Sequence, residues 1–356
     1  MDGTPIKTIE TKNRSHRETK KEKSLVPLAI IIFCAAVLLF IAFYIFLLIF
    51  NGYKFSTAKG ADGSTCTVTK IERRAIAPFI YFPSKLEIPE SIDGAAVTAI
   101  GYKAASGLAD IKTVAMPKSV TSVGEEAFSE CLNIESITAE GVVSIGIGAF
   151  RGCISLENVA LGEALTNIGK SAFEGCSKLS SLDISDNVKA IGERAFYSCT
   201  SLAGISCGGK IETVGEEAFW GCESLASVEF KKGIGSIAKY AFWGCSALES
   251  AKLGAVKEIG ANAFSGCTSL KSLALTDGTE IIGDRAFTGC TLLASFELPG
   301  SILGIGESAF EKCSSLKEIS YGGSADEWGL TTLGKYWLYG SSLSSVSCED
   351  GKVALE

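Results

Sequence analysis

The sequence predicts a β-rich solenoid of about eleven coils, stacked through one parallel β-ladder and preceded by one N-terminal transmembrane helix. Three observations carry this. An Ala-Phe pair recurs every 22 or 23 residues, ending at Phe128, Phe150, Phe173, Phe196, Phe219, Phe242, Phe264, Phe287 and Phe310. A short stretch of alternating apolar and polar residues follows each pair, as at Leu179, Leu182 and Ile184. Residues 25–50 carry no charged side chain.

Taken in chain order, residues 1–24 form a short charged tail with seven Lys or Arg against four Asp or Glu, its basic cluster beside the apolar run. A helix over residues 25–50 would be roughly 39 Å long, more than the ~30 Å hydrocarbon core of a bilayer. Two lysines, Lys54 and Lys59, stand just beyond it. This asymmetry places the tail in the cytoplasm and everything after residue 51 outside, as a single-pass membrane protein with an uncleaved signal anchor. A cleaved signal peptide, with Ser56-Thr57-Ala58 as its small-residue site, is the rival reading; the apolar run is about twice the length of a signal-peptide core. Residues 51–63 read as a linker, 64–99 as an N-terminal cap, 100–320 as the repeats and 321–356 as a C-terminal cap.

Each repeat follows the pattern I-G-x-x-A-F-x-G-C-x-S-L-x-x-[VI]-x-L. Alternation over so few residues is a half-buried strand, and Gly and Ser mark the corners. A unit of this length cannot close a core alone, so units must stack. The frame frays at both ends. Ala105 and Leu108 replace the Phe and Cys in the first coil, and Leu343, Val346 and Cys348 keep only the strand positions of the last.

These motifs resemble the BspA-like leucine-rich repeat family over roughly residues 75–350. The lead-in at 86–101 (LEIPESIDGAAVTAIG) and the exit at 320–330 and 346–351 are similar to those of the family. The resemblance implies a secreted or surface-anchored protein that adheres to host or microbial surfaces. The uncleaved anchor is a departure from many relatives.

A Cys stands three residues after each Phe, from Cys131 to Cys313. Nine thiols at one phase form a column with neighbours ~4.8 Å apart and side chains parallel, whereas a disulfide needs Cβ atoms ~3.5–4.5 Å apart and a twisted dihedral. The column is expected to be reduced and to act as buried small hydrophobes. Metal binding needs clustered ligands, which a straight column does not supply. Neither a metal nor a cofactor is expected.

The one histidine, His16, lies in the tail. That removes Ser-His-Asp and Cys-His catalysis from the exterior part, and no phosphate loop or dinucleotide fingerprint stands in a strand–helix context. The chain is read as non-catalytic. Its net charge is −7 and its tail is basic, so the exterior part is the more acidic. Nucleic acid is therefore excluded as a partner.

The position after Ala-Phe should face away from the core. In three consecutive coils it holds Tyr197, Trp220 and Trp243, with Tyr240 nearby. Only four Trp occur in the chain, so two at one phase are a signal. These four aromatics are the candidate ligand-contact patch, for sugar rings or a partner protein; the competing reading is rings that lean on one another and cover the corners. The ladder's outer face (Ser136, Asn158, Ser181, Gly204, Ser227, Ser250, Ser272, Ser295) is small and polar, a solvated surface with few anchors. The expected function is adhesion or protein/glycan recognition at a host or microbial surface, with the bilayer as a further partner through 25–50. The alternative is an envelope-organising scaffold that binds a partner in its own membrane or wall.

Overall fold

A computed structural model describes residues 32–41, 53–73, 84–230 and 234–355. The chain divides into two units, Met1–Gly52 and Tyr53–Glu356. In the first, residues 32–41 are helical. Among the described residues no helix is long and apolar enough to cross a membrane. The expected transmembrane helix over 25–50 is corrected accordingly. The rest of 25–50 and the tail lie outside the described residues.

The second unit is a β-solenoid of about eleven turns. Its coils pair in strict register at the repeat period: Ser122 and Val123 pair with Ser144 and Ile145, and Asn167 and Ile168 with Ala190 and Ile191. The alternating stretches form strands as expected, such as Ser181–Asp183 beside Gly204–Ser206. They make three successive parallel runs of four, five and three strands, the last closed by a fourth, antiparallel strand, Gly351–Ala354.

There is a second ladder, where a single one was expected. It is one continuous 14-stranded sheet, running from Tyr53–Lys59 to Thr332–Leu333. Most of its strands are two residues long and sit just before the Gly of each repeat, as in Ala190–Ile191 and Thr213–Val214. Two residues are too few to show alternation, so the pattern hid them. The segment read as a linker also belongs here. Tyr53–Lys59 pairs antiparallel with Thr65–Arg73 and caps the N-terminal end of this sheet.

The nine coils from Phe128 to Phe310 deliver the same side chains inward. The Phe rings from Phe128 to Phe310 form one unbroken stacked column, with centroids 5.0–5.6 Å apart. The Ala before each Phe and the Cys after it are fully buried. None of the thirteen cysteines is in a disulfide. The column thiols do more than fill space. Cys153 Sγ donates to the carbonyl of Phe128 at 3.2 Å, Cys176 to Phe150, Cys199 to Phe173, and so on to Cys313 on Phe287. The same Phe carbonyl accepts the amide of the Cys in its own coil, as Phe128 does from Cys131. Each buried carbonyl thus uses both lone pairs, which a Cys→Ala change would not allow.

The Gly that follows the short strand is steric. A Cβ on Gly192 would lie 2.6 Å from the Gly169 carbonyl carbon and 2.7 Å from the Lys170 nitrogen. The same clash recurs at Gly146, Gly169, Gly215, Gly260 and Gly283. One coil carries Ala238 instead, and there the ladder bond to the preceding coil is 3.2 Å, against 2.9 Å at Gly215 and 2.8 Å at Gly260. The coil has opened slightly to admit the methyl. Gly192→Ala should therefore cost about 1–3 kcal/mol, while Ala238→Gly changes stability by less than about 1 kcal/mol. Urea denaturation of the two variants measures the contrast; equal effects would contradict the steric account.

Candidate recognition surface

The corner after each short strand is built from two left-handed residues. In three central coils the first is Arg194, Glu217 or Tyr240, with φ between 54° and 57°, and the second is Ser198, Gly221 or Gly244. Between them Ala and Phe turn inward, and the residue after Phe is carried outward. Backbone bonds lock this corner from coil to coil. Phe196 N donates to Ala218 O at 2.8 Å, Ser198 N to Trp220 O at 2.7 Å and Gly221 N to Trp243 O at 2.8 Å. The outward positions are therefore spaced one coil apart.

All four sequence-predicted aromatics come together there. Trp220 stacks on Tyr197 at 5.9 Å and on Trp243 at 4.1 Å, with interplanar angles of 18° and 22°. Tyr240 leans against Trp220 at 5.2 Å, tilted by 58°. Trp243, 36% exposed, ends the strip; the other three are half-buried. In the next coil the same position is Ser265, which is buried.

A charged frame surrounds the rings. The Arg194 guanidinium lies 4.2 Å from the Tyr197 ring centroid and pairs with Glu174 at 3.0 Å and Glu217 at 3.4 Å. Lys239 lies 4.8 Å from the Tyr240 centroid and 3.7 Å from Glu216. Each cation thus ties an aromatic ring to a carboxylate, a geometry that is favourable at a partly exposed site. A positive φ on a residue as large as Tyr240 is uncommon; here the repeat imposes it at that phase in every coil.

One aromatic pair went unnoticed in the sequence. The run Gly334-Lys335-Tyr336-Trp337-Leu338-Tyr339-Gly340 is in phase with Gly215-Glu216-Glu217-Ala218-Phe219-Trp220-Gly221. Tyr336 and Tyr339 stand where Tyr240 and Trp243 stand in their coil. They meet edge to face at 6.1 Å and are largely exposed. The flanking glycines were the available signal, masked because Trp337-Leu338 replaces Ala-Phe.

Among the described residues no group of three or more His, Cys, Asp or Glu could hold a metal ion. Lysines and glutamates pair across neighbouring coils, as Lys112 with Glu135 and Lys170 with Glu193, at exposed positions.

Residues 81–142, 138–249 and 246–354 match the profile of the BspA type leucine rich repeat region, in six copies. The chain belongs to the BspA-type leucine-rich repeat family. No curated protein matches it. Among solved structures it is similar to the leucine-rich repeat protein TpLRR of T. pallidum, with 25% identity over 61% of this chain and 87% of that one and a TM-score of 0.45. It is also similar to a leucine-rich cell surface protein of Faecalibacterium prausnitzii, with 22% identity over 80% and 96% and a TM-score of 0.41. The pneumococcal vaccine antigen PcpA gives 17% identity over 85% and 87% and a TM-score of 0.41. The family is one of binding scaffolds, and no enzyme family is indicated. In BspA-type terms, the aromatic strip is an elaboration of the repeat's outward corner position.

Proposed function

We propose that this BspA-type protein is a non-catalytic, surface-displayed recognition module that mediates adhesion, and that Tyr197, Trp220, Tyr240 and Trp243 form its contact patch. The observation that carries this reading is the stack itself: three large rings in register on a surface whose neighbouring coils place Glu174 and Ser265 at the same phase. Aromatic rings dominate recognition energetics, and clustered exposure of them is uncommon on a surface without a partner.

The packing also favours one ligand class. Stacked rings cover each other's faces, so the strip turns mainly ring edges outward. Sugar recognition by aromatics uses a free ring face. Edges carry partial positive charge and attract carbonyl and carboxylate oxygens. A protein partner with an acceptor-rich surface fits better than a carbohydrate chain, and the Arg194 and Lys239 frame points the same way.

The test is a binding screen of the full chain against immobilised extracellular-matrix proteins and a glycan array. A protein hit is expected, with Trp243→Ser weakening it by about 10–100-fold, the range of an interface hot spot. Undiminished binding by Trp243→Ser and Trp220→Ser would remove the patch from the function. Glycan hits alone would reverse the choice of ligand class.

A further inference from the structure

The solenoid closes its ends unequally. The N-terminal end of the long sheet is closed by the antiparallel hairpin of Tyr53–Lys59 and Thr65–Arg73. On the other face, the C-terminal end is closed by Gly351–Ala354 folding back on Ser345–Cys348. Among the described residues the long sheet has no such closure at its C-terminal end, where its last strand is Thr332–Leu333.

The last coil, residues 331–340, is bonded on its inner side only. Thr332 N donates to Leu303 O at 2.9 Å and Gly334 N to Ile305 O at 2.7 Å. Around the corner, Ser308 N, Phe310 N and Lys312 N donate to Lys335 O, Trp337 O and Tyr339 O at 2.7–3.0 Å. The counterparts of these groups on the last coil face outward. They are two carbonyls, Thr331 O and Leu333 O, and three amides, those of Tyr336, Leu338 and Gly340. Among the described residues none of the five has a hydrogen-bond partner. A strand edge and turn left open in this way form a template for another chain.

The side chains around the opening are apolar, unlike those of the earlier coils. The outward positions of the long sheet are Ser122, Ser144, Asn167, Thr213 and Glu258 in earlier turns. Toward the end Ile281 takes this position, Leu303 lies exposed beside Gly304 in the next turn, and the last coil adds Leu330 (84% exposed), Leu333, Tyr336 (67%) and Tyr339 (63%).

We propose that this end face is a homotypic interface that takes a second copy of the same chain, tail to tail. The argument for that occupant is self-complementarity. Acceptors lie along 331–333 and donors along 336–340, on adjacent sides of one coil. A two-fold axis in the plane of the end face sets the donor row of one copy against the acceptor row of the other, and the apolar residues of both copies meet between them. An isologous interface needs one surface to be its own complement. The pairing would present two aromatic strips from one assembly, which raises avidity for a surface with repeated ligands.

The full chain, in a non-ionic detergent, is followed by analytical ultracentrifugation over a concentration series. A monomer–dimer equilibrium is expected. Leu330→Asp combined with Tyr339→Asp should raise the dissociation constant at least tenfold, and so should Leu330→Lys alone. Both positions are exposed, so an unchanged urea midpoint verifies the fold. Tyr102→Asp, exposed at the opposite end of the array, should leave the equilibrium unchanged. A wild-type protein that stays monomeric throughout overturns the proposal. So does a dimer that survives both interface variants, and so does an open-ended mass series, which would mean head-to-tail stacking.

Discussion

Raising the pH from about 8 to about 11 should unfold the repeat array in one steep step without denaturant. The cause is the thiol column. Burial pushes the thiol of Cys131 up to about 11 and that of Cys222 up to about 12, from an ordinary value of 9.0. Burial, in several cases with neighbouring thiols adding to it, moves Cys153, Cys176, Cys199, Cys245, Cys267 and Cys290 in the same direction. Well below pH 9 these groups are protonated in the folded and the unfolded chain alike, and the pH has no leverage through them. Above it the unfolded chain loses its thiol protons while the folded chain keeps them. The unfolded state then binds fewer protons, so stability falls as the pH rises, until the folded thiols themselves ionise.

The slope is large because the groups are many. Each contributes about 1.4 kcal/mol per pH unit once its unfolded counterpart is ionised, and eight together approach on the order of 10 kcal/mol per unit. A stability of ~5–15 kcal/mol is exhausted within one or two units above pH 9. Exposed lysine–glutamate pairs also weaken in this range, but such pairs contribute little. Far-UV circular dichroism against pH gives the midpoint. Replacing Cys199 and Cys222 by Ala should make the transition shallower even though it lowers stability at neutral pH. A signal flat to pH 11 would show that the thiols are not held protonated by burial.

The features that were legible in the sequence are those the repeat states many times. Phe and Cys at one phase gave the coil period, the buried column and the reduced thiols. The same phase count picked out Tyr197, Trp220, Tyr240 and Trp243, and they do meet in space. What stayed hidden had physical reasons. The long sheet is made of strands such as Ser236–Ile237, too short for a period of two to register. The thiol-to-carbonyl bonds join residues 25 or 26 apart, so nothing local announces them. The Cys column looked like a row of small hydrophobes when its members are also donors. Trp337, which closes the Phe column edge-on against Phe310 at 6.2 Å, sits at an Ala phase and broke the pattern that would have revealed it. The apolar run at 25–50 is the opposite case: its composition spoke clearly about hydropathy, yet among the described residues no helix is long and apolar enough to cross a membrane.

Removing one ring from the middle of the Phe column should do more damage than removing one from its end. Phe219 is fully buried and stacks on Phe196 at 5.2 Å and on Phe242 at 5.0 Å. Phe219→Ala leaves a ring-sized void between two coils and deletes two stacking contacts. The expected cost is about 4–5 kcal/mol, at the upper end for a buried aromatic. Phe128 is equally buried but among the described residues stacks on one ring, Phe150, at 5.6 Å, and Phe128→Ala should cost roughly 1 kcal/mol less. Position also changes the form of unfolding. A solenoid is held together by nearest-neighbour interfaces, so a weak one in the centre uncouples two arrays, each with several intact coils. Phe219→Ala should therefore lower the denaturant m-value as well as the midpoint, because the halves no longer unfold together. Phe128→Ala should trim the first coils and leave the remaining transition steep. Equal midpoint losses with unchanged m-values in both variants would mean that the array unfolds as one body whatever its weakest interface, and nearest-neighbour stacking would not be what holds it together.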